Sequence, residues 1–210
     1  MEISKKDLLS QYEIITLASI VQVGDAAYRD LVEAESPMFG HEYLRDLRGR
    51  IRTKLVQMQC EIESHNGNFP FKFFQREFCY GHKVPELRNE HMIIHIAQSS
   101  SPKALPSSAD YKKELTYNNQ PLCRQLTFDF FGEQKYVPEP FYGLLIFGGR
   151  KEKTFCVLQF PEPGYDGIAD YIEIPMISLV SESEETKKIE RKKAVLRDEF
   201  LSHNTKEAAQ

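Results

Sequence analysis

Residues 44–80 read LRDLRGRIRTKLVQMQCEIESHNGNFPFKFFQREFCY, and the apolar pattern changes period inside them. Up to residue 62, Leu44, Leu47, Ile51, Leu55, Met58 and Ile62 recur at steps of three and four, the spacing that gathers side chains into one stripe of an α-helix. This predicts a helix with that stripe buried, stopped by Ser64-His65-Asn66-Gly67. Between Phe69 and Tyr80, six of twelve residues are aromatic, and in an extended chain Phe69, Phe71 and Phe73 fall on one side. A helix that gives way to aromatic strand near residue 66 predicts an α+β protein rather than a helical bundle or a parallel doubly wound sheet.

Toward the N-terminus, Leu8, Leu9, Tyr12, Ile15, Ala18, Ile20, Val21, Val23, Tyr28 and Leu31 predict one long helix or two, with Gly24 as the break and Ser36-Pro37-Met38-Phe39-Gly40 as a turn. In the other direction, residues 81–85 read as a break. Residues 91–97 then read as a strand with Met92, Ile94 and Ile96 inward. Ser107 and Asp110 open a short helix to about Tyr117, and alternation over residues 122–130 predicts a half-buried strand. Residues 141–147 and 154–160 flank a Gly148-Gly149 turn as a hairpin, and residues 168–174 form a last strand. Ser181 with Glu184 starts a highly charged helix, acidic early and basic late as the helix dipole favours. The expected architecture is therefore an N-terminal helical segment (1–66) packed on a mainly antiparallel sheet of about five strands (67–180) in the same domain. A C-terminal charged helix with a frayed tail (181–210) follows.

Of the 210 residues, 41% are apolar and 28% charged, which suits a folded globular chain. No apolar run approaches the roughly 20 residues of a bilayer span, and the start, MEISKKDLLSQYE, lacks the basic and then apolar pattern of a secretory signal. A soluble cytoplasmic protein with no membrane partner is expected. Cys60, Cys79, Cys123 and Cys156 are dispersed without a CxxC pair, and His82, His91 and His95 give no zinc spacing, so reduced thiols and no metal or other cofactor are expected.

A net charge of −4 argues against non-specific coating of nucleic acid, yet residues 41–60 carry five Lys/Arg against two Asp/Glu. Arg45, Arg48, Arg50, Arg52 and Lys54 form a basic helix face able to hold phosphates or an acidic protein surface. The same spacing also suits a solvated face with Glu42–Arg45 and Asp46–Arg50 pairs. Residues 157–175, by contrast, hold Glu162, Asp166, Asp170 and Glu173 with no Lys or Arg. Together with Tyr165 and Tyr171 they make Tyr165, Asp166, Asp170 and Tyr171 the candidate protein interface. The acidic and basic segments could pair within the chain, across a homodimer, or with different partners.

Arg88-Asn89, followed by His95, resembles over eight residues the catalytic motif of the HEPN ribonucleases, in which such a pair handles the 2′-hydroxyl and the scissile phosphate without a metal. On a strand His91 and His95 share one face, so Arg88, His91 and His95 are the candidate catalytic set. No GxSxG, HExxH, Walker loop or GxGxxG is present. The sequence thus predicts a non-enzymatic intracellular binding or regulatory module. It would act through its basic helix on nucleic acid or an acidic protein, with a metal-independent ribonuclease as the alternative.

Overall fold

The computed structural model describes residues 8–44, 46–78, 81–123, 140–149 and 154–176. Helix α1 (Gln11–Ala34) begins at a capping box in which Glu13 N donates to Ser10 Oγ at 3.2 Å and Ser10 N donates to Glu13 Oε2 at 2.7 Å. The helix runs through Gly24 without a break. A Cβ built at Gly24 would lie 2.6 Å from Val56 Cα in helix α3 (Leu47–Ser64), so the glycine is where two helix backbones touch. A short helix α2 (Ser36–Gly40) and a 3₁₀ turn (Glu42–Leu44) join α1 to α3.

The inward side of α3 differs from the predicted stripe. Its buried residues are Arg52, Val56, Gln59 and Cys60, while Leu44, Leu47, Ile51, Leu55, Met58 and Ile62 are only half-buried. The reason is electrostatic. Arg52 Nε donates to Asp25 of α1, and Arg52 Nη1 donates to the Gly149 carbonyl at 2.9 Å, so a paired arginine from the face expected to be basic and solvated turns inward beside Val56.

Six strands follow in spatial order equal to chain order: β1 (Lys72–Phe78), β2 (His82–Arg88), β3 (Met92–Gln98), β4 (Phe141–Gly148), β5 (Phe155–Pro161) and β6 (Ile168–Glu173). All neighbours are antiparallel except β3 and β4, which are parallel. The crossover between those two contains helix α4 (Asp110–Thr116) and a 3₁₀ turn (Tyr117–Leu122). Among the described residues the sheet has six strands rather than about five, and residues 82–88, expected to begin with a break, form β2. Gly81, at φ +69°, supplies the left-handed residue that closes the β1–β2 hairpin. Pro85 is tolerated because the β3 ladder covers only Glu86 to Arg88. Of the strand expected at 122–130, Leu122 instead ends a 3₁₀ turn that Cys123 caps; residues 124–130 and the C-terminal charged helix lie outside the described residues.

One sheet face packs under α1 and α3, with Leu17, Ile20, Val56, Leu87, Ile94, Leu145 and Leu158 fully buried in the main core. Each such side chain contributes about 1.5–3 kcal/mol of transfer free energy. Phe71 is buried there, and Phe69 and Phe73 pack against it, as the alternation predicts. The opposite face holds a second cluster, Ile93, Tyr142, Leu144, Ile146, Val157 and Tyr165, covered by Leu105 and by Leu115 of α4. That cover lies over β3, β4 and β5. Toward β1 the same face opens to solvent.

Candidate anion-binding face

On this second face strand register decides which side chains meet. Across β1 and β2, Lys72 lies opposite Arg88, Phe74 opposite Glu86 and Arg76 opposite Val84; across β2 and β3, Glu86 lies opposite His95. Strand alternation turns Phe71 and Phe73 into the core and so delivers Lys72, Phe74 and Arg76 to the other side.

Glu86 is the hub. It is fully buried, accepts from Arg88 Nε at 2.6 Å and from Arg88 Nη2 at 2.5 Å, and pairs with Arg76 Nε at 3.2 Å. Its second oxygen also meets His95 Nε2 at 3.0 Å, and His95 Nδ1 stands 3.1 Å from Tyr142 Oη. A neutral imidazole satisfies every group in this chain: Tyr142 donates its hydroxyl proton to Nδ1, and Nε2–H donates to Glu86. Tyr111 of α4 closes over the imidazole edge-on, at 5.3 Å between ring centroids.

The electrostatics agree with that assignment. Burial alone would raise the Glu86 carboxyl, but hydrogen bonds from His95 and Arg88, with the charge of Arg76, bring it down to about 2. Burial lowers the His95 pKa; Glu86 works against this, and Arg76 and Lys112 add to the lowering. Burial pushes the Tyr142 hydroxyl well above its ordinary value. The network is therefore an ionised acid beneath two guanidinium groups, with a neutral histidine and a protonated tyrosine behind it.

What reaches solvent is the other side of the arginines. The Arg76 and Arg88 side chains are 40% and 38% exposed, and Lys72 is exposed. Phe74 is 44% exposed, with the Arg88 guanidinium carbon 5.0 Å from its ring centroid. Two guanidinium groups hold the one acid, and a third cation, Lys72, is the direct cross-strand partner of Arg88, which leaves two positive charges in excess on this face. Such a pair is destabilising unless an anion lies between the charges.

The structure brings Arg88 and His95 together, but through Glu86, and His95 is 1% exposed. His91 is exposed, with its N–H on Asn89 Oδ1. Asn89 in turn ties the turn before β3 to α1, donating to Glu13 Oε1 at 2.8 Å and to the Leu8 carbonyl at 3.1 Å.

The basic helix face is divided. Arg52 is buried on Asp25, Arg48 donates to the Phe39 carbonyl, and Lys54 Nζ donates to the Lys83 carbonyl at 3.1 Å. Arg50 stays exposed, and Arg45 lies outside the described residues.

On the acidic segment, Tyr171 and Asp166 are exposed and Asp170 is half-buried. Tyr165 is buried, held at φ +71° in the second cluster with its hydroxyl on the Pro106 carbonyl at 3.0 Å. Lys72, Phe74, Arg76 and Glu86 were not singled out by sequence reasoning. The signal lay in KVPELR, where Val84, Glu86 and Arg88 alternate with Pro85 and Leu87. A proline inside the run masks that period.

Among the described residues no group of three or more His, Cys, Asp and Glu is placed to hold a metal, and no helix is long and apolar enough to cross a membrane. Comparison with protein-family models, curated proteins and solved structures gives no match.

Proposed function

We propose that this protein is a non-enzymatic binding module for nucleic acid, which it holds by the β1–β2 face of its sheet. The observation that carries this is the cross-strand pairing of Lys72 with Arg88 beside Arg76, a concentration of positive charge at one point of a chain that is negative overall. A protein that gained nothing from this pair would be more stable without it. Glu86 supports the reading because it fixes both guanidinium groups by their inner nitrogens, so less side-chain entropy is lost when an anion meets them. Binding without catalysis is favoured because the titratable groups beneath, Glu86 and His95, are buried away from a bound strand.

The test compares two double variants with the same change in net charge. Lys72→Glu with Arg76→Gln alters the sheet face; Arg50→Glu with Lys54→Gln alters α3. Binding to labelled oligonucleotides is followed by fluorescence anisotropy over a range of salt. Three cations on a single strand predict a slope of log affinity against log salt near −2, that is about −0.7 for each phosphate neutralised. The sheet-face variant should lose most of the affinity and most of the slope, and the α3 variant should keep both. Loss only in the α3 variant would move the site to the basic helix. Cleavage of RNA that disappears in His95→Ala would replace binding by ribonuclease chemistry.

A further inference from the structure

Resting on that reading, we propose that the ligand is a single strand, with one base stacked on Phe74 and phosphates two steps apart, one to either side of that base, on Lys72 and Arg76. Phe74 is the unexplained member of the face. Its neighbours Phe71 and Phe73 serve the core, yet Phe74 stands 44% exposed between two cations. Arg88 lies against this ring at 5.0 Å, which fixes it and leaves the remainder open to solvent.

The spacing is what a single strand requires. Lys72, Phe74 and Arg76 follow one another at every second residue of β1, so each cation stands about 6.6 Å along the strand from the ring. The two cations are therefore about 13 Å apart, roughly two phosphate-to-phosphate steps of an extended polynucleotide. A strand lying along β1 thus meets Lys72 and Arg76 with phosphates two steps apart while a base between them stacks on Phe74, and stacking on a ring accepts any base because each has a π-face. A duplex offers phosphates to the same cations, but its bases are stacked on one another and would leave Phe74 idle. An acidic protein would likewise use the charges and not the ring.

The experiment titrates labelled oligo(dT) and a labelled duplex into the full chain and into Phe74→Ala and Phe74→Trp. Phe74→Ala should bind oligo(dT) roughly 10- to 100-fold more weakly and change duplex binding less than about twofold. Phe74→Trp keeps a stacking face and should stay within about twofold of the parent. Since Phe74 is substantially exposed, both variants should fold, and their circular dichroism confirms it. If Phe74→Ala leaves oligo(dT) affinity unchanged, or weakens strand and duplex equally, the proposal is overturned. In that case charge-dependent binding lost in Lys72→Glu with Arg76→Gln would still stand. No binding of any nucleic acid by the parent chain would remove both.

Discussion

Replacing Lys72 by Glu should make the free protein more stable while weakening its hold on nucleic acid. Lys72 and Arg88 are register partners with Cβ atoms about 5 Å apart, and two like charges separated by about 6 Å repel by about 0.7 kcal/mol in water. Physiological salt halves this, and changing the sign of one partner about doubles the difference. Glu86, already bonded to Arg88, reduces it again, which leaves a gain of about 0.5 kcal/mol for an exposed pair. For a chain of this size that is a rise of about 1–2 °C in Tm. Differential scanning fluorimetry at low and high salt measures it, and the gain should shrink as salt rises. Anisotropy on the same samples should show weaker binding. Lower stability in Lys72→Glu, or higher stability with unchanged binding, would refute the idea that this repulsion is kept for a ligand.

Further expectations concern the framework that holds the face. Asp25→Ala leaves the Arg52 guanidinium buried without its partner and should cost about 3–5 kcal/mol in urea unfolding, whereas an α3 held mainly by apolar packing would lose less than about 1 kcal/mol. Gly24→Ala gains about 1 kcal/mol of helix propensity. Its new methyl nevertheless meets the Val56 backbone at 2.6 Å, so a net loss of roughly 1–2 kcal/mol is expected, and a raised Tm would disprove the close crossing. Acid should destabilise the protein through Glu86. Its carboxyl, lowered from 4.5 to about 2, contributes up to about 3 kcal/mol that is present above 4.5 and is lost as pH falls toward 2. The lowered His95 adds a loss that starts below 6.5, because protonation favours the unfolded chain. Urea midpoints across pH 7 to 3 should show both phases in the parent, and Glu86→Gln should flatten the lower one.

The parts of the fold legible in the sequence were those where one period dominates. His91-Met92-Ile93-Ile94-His95-Ile96, read from its alternation, and residues 141–147, read from a continuous apolar run, correspond closely to β3 and β4. The capping pair Ser10 and Glu13 carries no apolar period to flag it, and the sequence leaves one long helix or two open at Gly24 because propensity cannot see a neighbouring helix. The α3 stripe misled for a different reason. Hydrophobic periodicity has no term for an arginine that is neutralised by a distant aspartate, so Arg52 was assigned to solvent. The site was half legible. Arg88 and His95 were noticed as a pair, but the residue joining them, Glu86, follows a proline that reads as a break. Phe74, Lys72 and Arg76 counted as one more aromatic strand until the β1–β2 register placed them beside Arg88.

The location of the ligand is the central claim, and photochemical cross-linking tests it most directly. A single-stranded oligonucleotide carrying photoreactive pyrimidines is irradiated with the full chain, digested and mapped by mass spectrometry. Adducts should concentrate in the peptide that spans β1, at Phe74, and should fade as salt is raised. Adducts confined to α3, around Arg48 and Arg50, would contradict the account.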